Sequence, residues 1–75
     1  MADRMDGAVD ARGLPWRRGD RVVLEGGWPG LSPGCEGTVA MAVPRWEGPG
    51  SILLVEWDPR GRRAGVPDDL VVRLP

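Results

Sequence analysis

Proline and glycine set the limits on what this chain can become. Eight Pro and twelve Gly are spread through 75 residues, and no ten-residue stretch keeps helical periodicity between them. Proline removes a backbone donor and clashes with the preceding helical turn, so this spacing breaks a helix before it can bury a face. What survives is a series of short apolar runs between turn signals, the pattern of an all-β chain. The length supports one small domain. A chain of this size buries roughly 60% of its unfolded surface, which leaves a thin core and little room for a deep catalytic cleft.

Five runs read as strands. Arg21-Val22-Val23-Leu24 places Val22 and Leu24 on one face. After a Gly/Pro-rich loop from Glu25 to Glu36, Gly37 to Val43 alternates, which predicts Val39, Met41 and Val43 inward. Ser51 to Trp57 is apolar on both faces, as in a central strand covered on both sides. Asp58-Pro59-Arg60-Gly61 has the chemistry of a type I turn, and Arg62 to Val66 closes that hairpin. Pro67 to Leu70 fits one 3₁₀ turn capped by Asp68 and Asp69, and Val71 to Leu74 makes a last strand with Leu70, Val72 and Leu74 on one side. Residues 1–13 hold Asp3, Asp6 and Asp10 among small residues and read as a disordered acidic tail. The domain is then 14–75. Five short strands with a long first loop and a single 3₁₀ turn before the last describe a small five-stranded SH3-like barrel, whose closure protects sheet edges.

The inventory of side chains restricts the chemistry. There is no His and therefore no near-neutral general base or imidazole ligand. There is no Lys for a Schiff base. Cys35 is the only cysteine, which excludes a disulfide framework and a thiolate metal cluster. It sits beside Glu36, with no histidine to activate it, and reads as inert. No catalytic residue, metal ligand or cofactor is assigned. The longest apolar run is Ile52 to Val55, and the N-terminus lacks an apolar segment of signal-peptide type, so the chain reads as soluble and cytoplasmic.

All ten basic residues are Arg, against eleven carboxylates. The avoidance of Lys, Asn, Phe and Tyr matches the codon usage of a high-GC, bacterial genome; selection for phosphate-matching guanidinium gives the same bias. Residues 1–11 carry one Arg and three Asp, a charge of −2, and residues 12–75 carry nine Arg and eight carboxylates, a charge of +1.

Arg18-Gly19-Asp20-Arg21-Val22-Val23-Leu24, followed by Pro33-Gly34-Cys35-Glu36-Gly37-Thr38-Val39, resembles the "GD-x-V … G-x-x-G-x-V" core of KOW-type SH3-like modules. The continuation Leu53-Leu54-Val55-Glu56-Trp57-Asp58 … Asp69-Leu70 also resembles MIB/HERC-type domains and the nitrile hydratase β-subunit barrel. The resemblance spans residues 18–74. It implies the barrel fold and three roles: RNA, ribosomal or transcription partners for the KOW type, protein partners for the second, and service as an accessory enzyme subunit for the third. Fold alone does not choose among them.

The four Trp are the only aromatic residues and must be divided between core and contact. Trp57 is in phase with Leu53 and Val55, and Trp16 tucks under the first strand; both read as core. Trp28, in Gly26-Gly27-Trp28-Pro29-Gly30, is either a contact residue at the barrel mouth or a lid on the core. Trp46 lies near a hairpin tip with Arg45 beside it, where stacking can combine with a bidentate guanidinium contact. Arg60, Arg62 and Arg63 cluster at one turn, and Arg17, Arg18 and Arg21 at another; each cluster is either a nucleic-acid footprint or a solvated turn. The resulting expectation is a non-catalytic binding module that meets a protein partner through Trp28, Arg45, Trp46, Arg60, Arg62 and Arg63. A nucleic-acid-binding module is the alternative, and an accessory subunit of a larger enzyme is another.

Overall fold

The computed structural model of the chain describes residues 4–58 and 61–75. Among these, every regular element is a strand except one 3₁₀ turn. The strands are β1 (Arg4–Val9), β2 (Pro15–Arg17), β3 (Arg21–Leu24), β4 (Glu36–Pro44), β5 (Ser51–Trp57), β6 (Arg62–Pro67) and β7 (Val71–Arg73), with the 3₁₀ turn at Asp68–Leu70. They form two sheets, a two-stranded β1-β2 and a five-stranded sheet in the order β6-β5-β4-β3-β7. All neighbours are antiparallel. The five strands read from the sequence are β3 to β7.

The core follows the alternation of β3 and β5. Val22 and Leu24 from β3, and Leu53, Val55 and Trp57 from β5, are all buried, with Val39, Ala42 and Val66 between them. Gly37 is required where β4 starts. A Cβ there would lie 2.5 Å from Val55 Cγ1 and 2.8 Å from the Glu56 carbonyl oxygen, so only hydrogen fits between the strands.

β4 departs from simple alternation. Val39 pairs with Val55, but Met41 pairs with Leu54, so the register slips by one residue between them. A β-bulge of this kind puts two residues opposite one and moves every later side chain to the other face. Val39 and Ala42 are therefore buried, while Met41 and Val43, expected inward, face out. β5 is likewise covered on one face only: Ile52 is exposed and Leu54 half-buried. In β7 it is Val71, with Leu70 before it, that packs on the core, and Val72 is exposed.

The expected disordered tail is replaced by structure from Arg4 onward; Met1 to Asp3 lie outside the described residues. β1 pairs with β2 and packs across β4. The hairpin adds Trp16 and Ala8 to the core, and polar contacts shape its turn. Asp10 accepts hydrogen bonds from the N–H groups of Arg12 and Leu14, both at 2.9 Å, which shapes the turn. Ala8 is small enough to be fully buried, and Ser51 Oγ donates to the Val9 carbonyl at 2.7 Å.

The hairpin is locked by three side chains. Trp16 is buried and donates from Nε1 to Asp68 Oδ2 at 3.0 Å; the Ser51 N–H donates to the same oxygen at 2.9 Å. Asp68 is thus an internal acceptor, and no side chain caps the 3₁₀ turn. Gly50, at φ 96°, makes room for that carboxylate, because a Cβ would lie 2.5 Å from Asp68 Oδ1. The Arg73 guanidinium stacks on the Trp16 ring at 3.8 Å. It donates to Asp20 Oδ2 at 3.1 Å, to the Leu14 and Pro15 carbonyls at 3.0 Å each, and to Asp10 Oδ2 at 3.4 Å. Desolvation pushes the Asp10 carboxyl up, but the N–H groups of Leu14 and Arg12 and the Arg73 guanidinium outweigh it and hold it below its ordinary value.

Two predictions follow from this lock. Asp68→Ala leaves two buried donors without an acceptor and is expected to cost about 2–6 kcal/mol in urea denaturation, at about 1–3 kcal/mol per stranded group. Because the Asp10 pKa is depressed in the folded state, its stabilisation is complete above the unfolded value of about 3.9 and is lost as pH falls through the folded one. The stability difference between wild type and Asp10→Asn is therefore expected to be constant above about pH 5 and to shrink below about pH 4. A difference that stays constant into acid contradicts stabilisation by the ionised Asp10 carboxylate.

Candidate functional site

The β4–β5 hairpin ends in Arg45-Trp46-Glu47-Gly48-Pro49-Gly50. The loop closes through the Arg45 N–H donating to the Gly50 carbonyl at 3.1 Å, with Gly48 and Gly50 at positive φ. Its base is fixed to the 3₁₀ turn twice, by Arg45 Nη1 to Asp69 Oδ2 at 3.6 Å and by the Asp68 bond to Ser51. Trp46 is 98% exposed on this tied loop. An indole carries a large apolar surface, and this one covers nothing within its own chain.

Trp28 behaves differently. It is half-buried against the core together with Leu31, whose N–H donates to the Trp28 carbonyl at 2.9 Å in a tight turn. This packing is what a lid on the core requires, and it leaves part of the ring exposed. Arg62 lies against the same loop, with Nη2 3.2 Å from where a Gly30 Cβ would be. Arg60 lies outside the described residues. Arg63 pairs with Glu56 on the outer face of β5 and β6, with Nε and Nη2 both 2.9 Å from Glu56 Oε2.

The described members of the expected contact set fall into two groups. The Trp28 loop and the β5–β6 turn share one end of β4, where the Asp58 N–H donates to the Glu36 carbonyl at 2.8 Å. Arg45 and Trp46 sit at its other end.

The arginines are also less available than a count suggests. Arg21 donates to Asp58 Oδ2 at 2.6 Å, to Thr38 Oγ1 at 2.8 Å and to Glu36 Oε1 at 3.4 Å. The hydrogen bond from Arg21 holds the Asp58 carboxyl below its ordinary value, and the bond to Asp58 raises the Arg21 guanidinium. Such an exposed cluster contributes little stability, but it neutralises a cation that a phosphate would need. Arg21, Arg45, Arg63 and Arg73 all have carboxylate partners. Arg12, Arg17, Arg18 and Arg62 have none among the described residues.

The outer face of the β4–β5 hairpin was not expected to matter. Met41 is 51% exposed, Val43 48% and Ile52 37%. The apolar character of both faces of Ser51–Trp57 signalled it, but the bulge that turns Met41 and Val43 outward has no glycine or proline to mark it. No group of three or more Cys, Asp or Glu side chains among the described residues could hold a metal ion. Compared with known proteins, the chain matches no family model, no curated protein and no solved structure.

The division of the tryptophans is checked by thermal or urea unfolding. Trp28→Ala is expected to cost about 1–3 kcal/mol, below the full cost of deleting a buried Trp because the ring is half-exposed. Trp46→Ala is expected to change stability by no more than about 0.5 kcal/mol. The reverse order would exchange their roles.

Proposed function

We propose that this chain is a small SH3-like module that performs no chemistry and binds a protein partner at the β4–β5 tip, with Trp46 as anchor and Arg45 beside it. The observation that carries this reading is Trp46, 98% exposed on a loop tied to the 3₁₀ turn. Binding hot spots are enriched in Trp and Arg, and contact residues are commonly held on loops by a rigid scaffold. Trp46 covers nothing in its own fold, so its indole is free to bury against a partner.

Support for the SH3-like type comes from topology. The last strand returns beside the first of the five, a 3₁₀ turn precedes it, and the longest loop joins β3 to β4. The KOW-type alternative asks for a phosphate-binding stripe. The pairing of four arginines with carboxylates favours a protein partner over that reading.

Full-length wild type and the Arg45→Ala/Trp46→Ala double variant, used as baits in extracts of the native host, test the proposal. The wild type is expected to retain a partner that the variant loses by at least about tenfold, as for a hot spot worth about 2 kcal/mol. An unchanged partner set with the fold intact rejects this surface. Titration of labelled RNA and DNA at two salt concentrations is expected to show no salt-sensitive binding, and a steep salt dependence would favour the nucleic-acid module instead.

A further inference from the structure

Behind the tip, the outer face of β4, β5 and β6 carries an ordered set of exposed side chains. Val43 pairs with Ile52 and Ile52 with Pro67; one row further along, Met41 pairs with Leu54 and Leu54 with Gly65. Gly65 has no side chain to pack against Leu54 from directly across β6. A third row holds Glu56 opposite Arg63. A groove of about 380 Å³ opens where the second row meets the third, lined by Arg18, Thr38, Met41, Leu54, Glu56 and Arg63. A solvent-facing sheet surface ordinarily alternates to polar residues. Here two consecutive rows are apolar and the bulge in β4 is what turns one side of them outward.

We propose that this face docks an extended peptide segment of a partner protein, bearing two apolar side chains at alternate positions and a carboxylate two residues beyond. It rests on the reading of the chain as a binding module but uses side chains other than Trp46. The spacing comes from the strands: alternate residues of an extended chain lie about 6.6–6.8 Å apart, so a peptide running along β5 meets the three rows in register. The carboxylate follows from charge. In the third row Glu56 engages Arg63 at 2.9 Å, while Arg18 is exposed and has no carboxylate partner among the described residues. That end of the groove has one uncompensated positive charge, which an acidic side chain answers. The size argues against a second copy of the chain. A stable dimer takes about 800 Å² from each partner, about one-sixth of this chain's 4970 Å² surface. Four partly exposed aliphatic side chains supply only a fraction of that.

The test is selection of a random dodecamer peptide library on the full chain, followed by titration of the synthetic consensus peptide. The expected consensus has apolar residues at alternate positions and Asp or Glu two residues further. Its affinity is expected to fall at least tenfold for Ile52→Asp and for Arg18→Glu, and to survive Trp46→Ala. A Lys-for-acid version of the peptide is expected to bind at least tenfold more weakly. All three positions are exposed, and unchanged melting curves separate lost binding from lost fold.

No enrichment, a consensus without the acid, or binding that survives Ile52→Asp and Arg18→Glu would overturn the proposal. Peptides lost only with Trp46→Ala would leave the tip as the binding surface and reject this one. Peptide binding as expected, with a host partner set insensitive to Trp46→Ala, would reject the tip and keep this face. Sedimentation showing a dimer that Ile52→Asp dissolves would assign the face to a second copy. Binding to phosphatidylglycerol vesicles that Ile52→Asp abolishes would assign it to a membrane surface.

Discussion

The Asp68 carboxylate accepts the Trp16 indole N–H and the Ser51 backbone N–H on a single oxygen, in a buried position between the 3₁₀ turn, β5 and the β1–β2 hairpin. A buried acceptor is worth its two donors only while both are held, so this bond ties three segments far apart in sequence into one condition. Trp16 depends on it to be buried with its N–H satisfied. Arg73 depends on Trp16 for a ring to stack on, and the turn at Asp10 depends in part on Arg73. Small domains have thin cores, and here a polar lock extends the reach of the ten buried apolar side chains among the described residues. The same lock fixes the base of the loop that exposes Trp46, which connects stability at one end of the fold to presentation at the other.

The positions of the strands of the five-stranded sheet were legible from local turn chemistry and apolar runs, although the faces of β4, β5 and β7 were not. Arg21–Leu24 alternates, Ser51–Trp57 contains the continuous apolar run Ile52 to Val55, and Asp58 and Gly61 stand between β5 and β6. β1 was not legible. Its composition cannot bury a face by itself, and it is ordered by backbone pairing and by contacts to Ser51 and Arg73, neither of which is local in sequence. Asp68 was misread for a related reason. Beside a proline at the start of a 3₁₀ turn, a carboxylate looks like a cap, and only the tertiary arrangement shows it accepting from Trp16, 52 positions away.

The division of the tryptophans between core and surface was legible in part. Trp46, set in a Pro/Gly loop at a hairpin tip, is exposed where local reasoning puts it, and Trp57 and Trp16 are buried where phase and flanking residues put them. The arginine clusters were legible only as alternatives: Glu36 and Asp58 converge on Arg21 and Glu56 pairs with Arg63, partners distant in sequence, while Arg17, Arg18 and Arg62 have none among the described residues. The outward face of β4 was hidden by the bulge. A single extra residue near Ala40 reverses the orientation of Met41 and Val43, and the intact alternation of Val39, Met41 and Val43 in sequence gives the opposite answer.

Native-state hydrogen exchange tests most directly whether the polar lock makes hairpin, sheet and tip one rigid unit. The Trp16 indole N–H and the Ser51 amide are predicted to exchange only through global unfolding, with the same protection as the Val55 amide in the core of β5. Exchange of the Trp16 indole through a local opening, while Val55 stays protected, would show that the hairpin detaches on its own and would contradict the account.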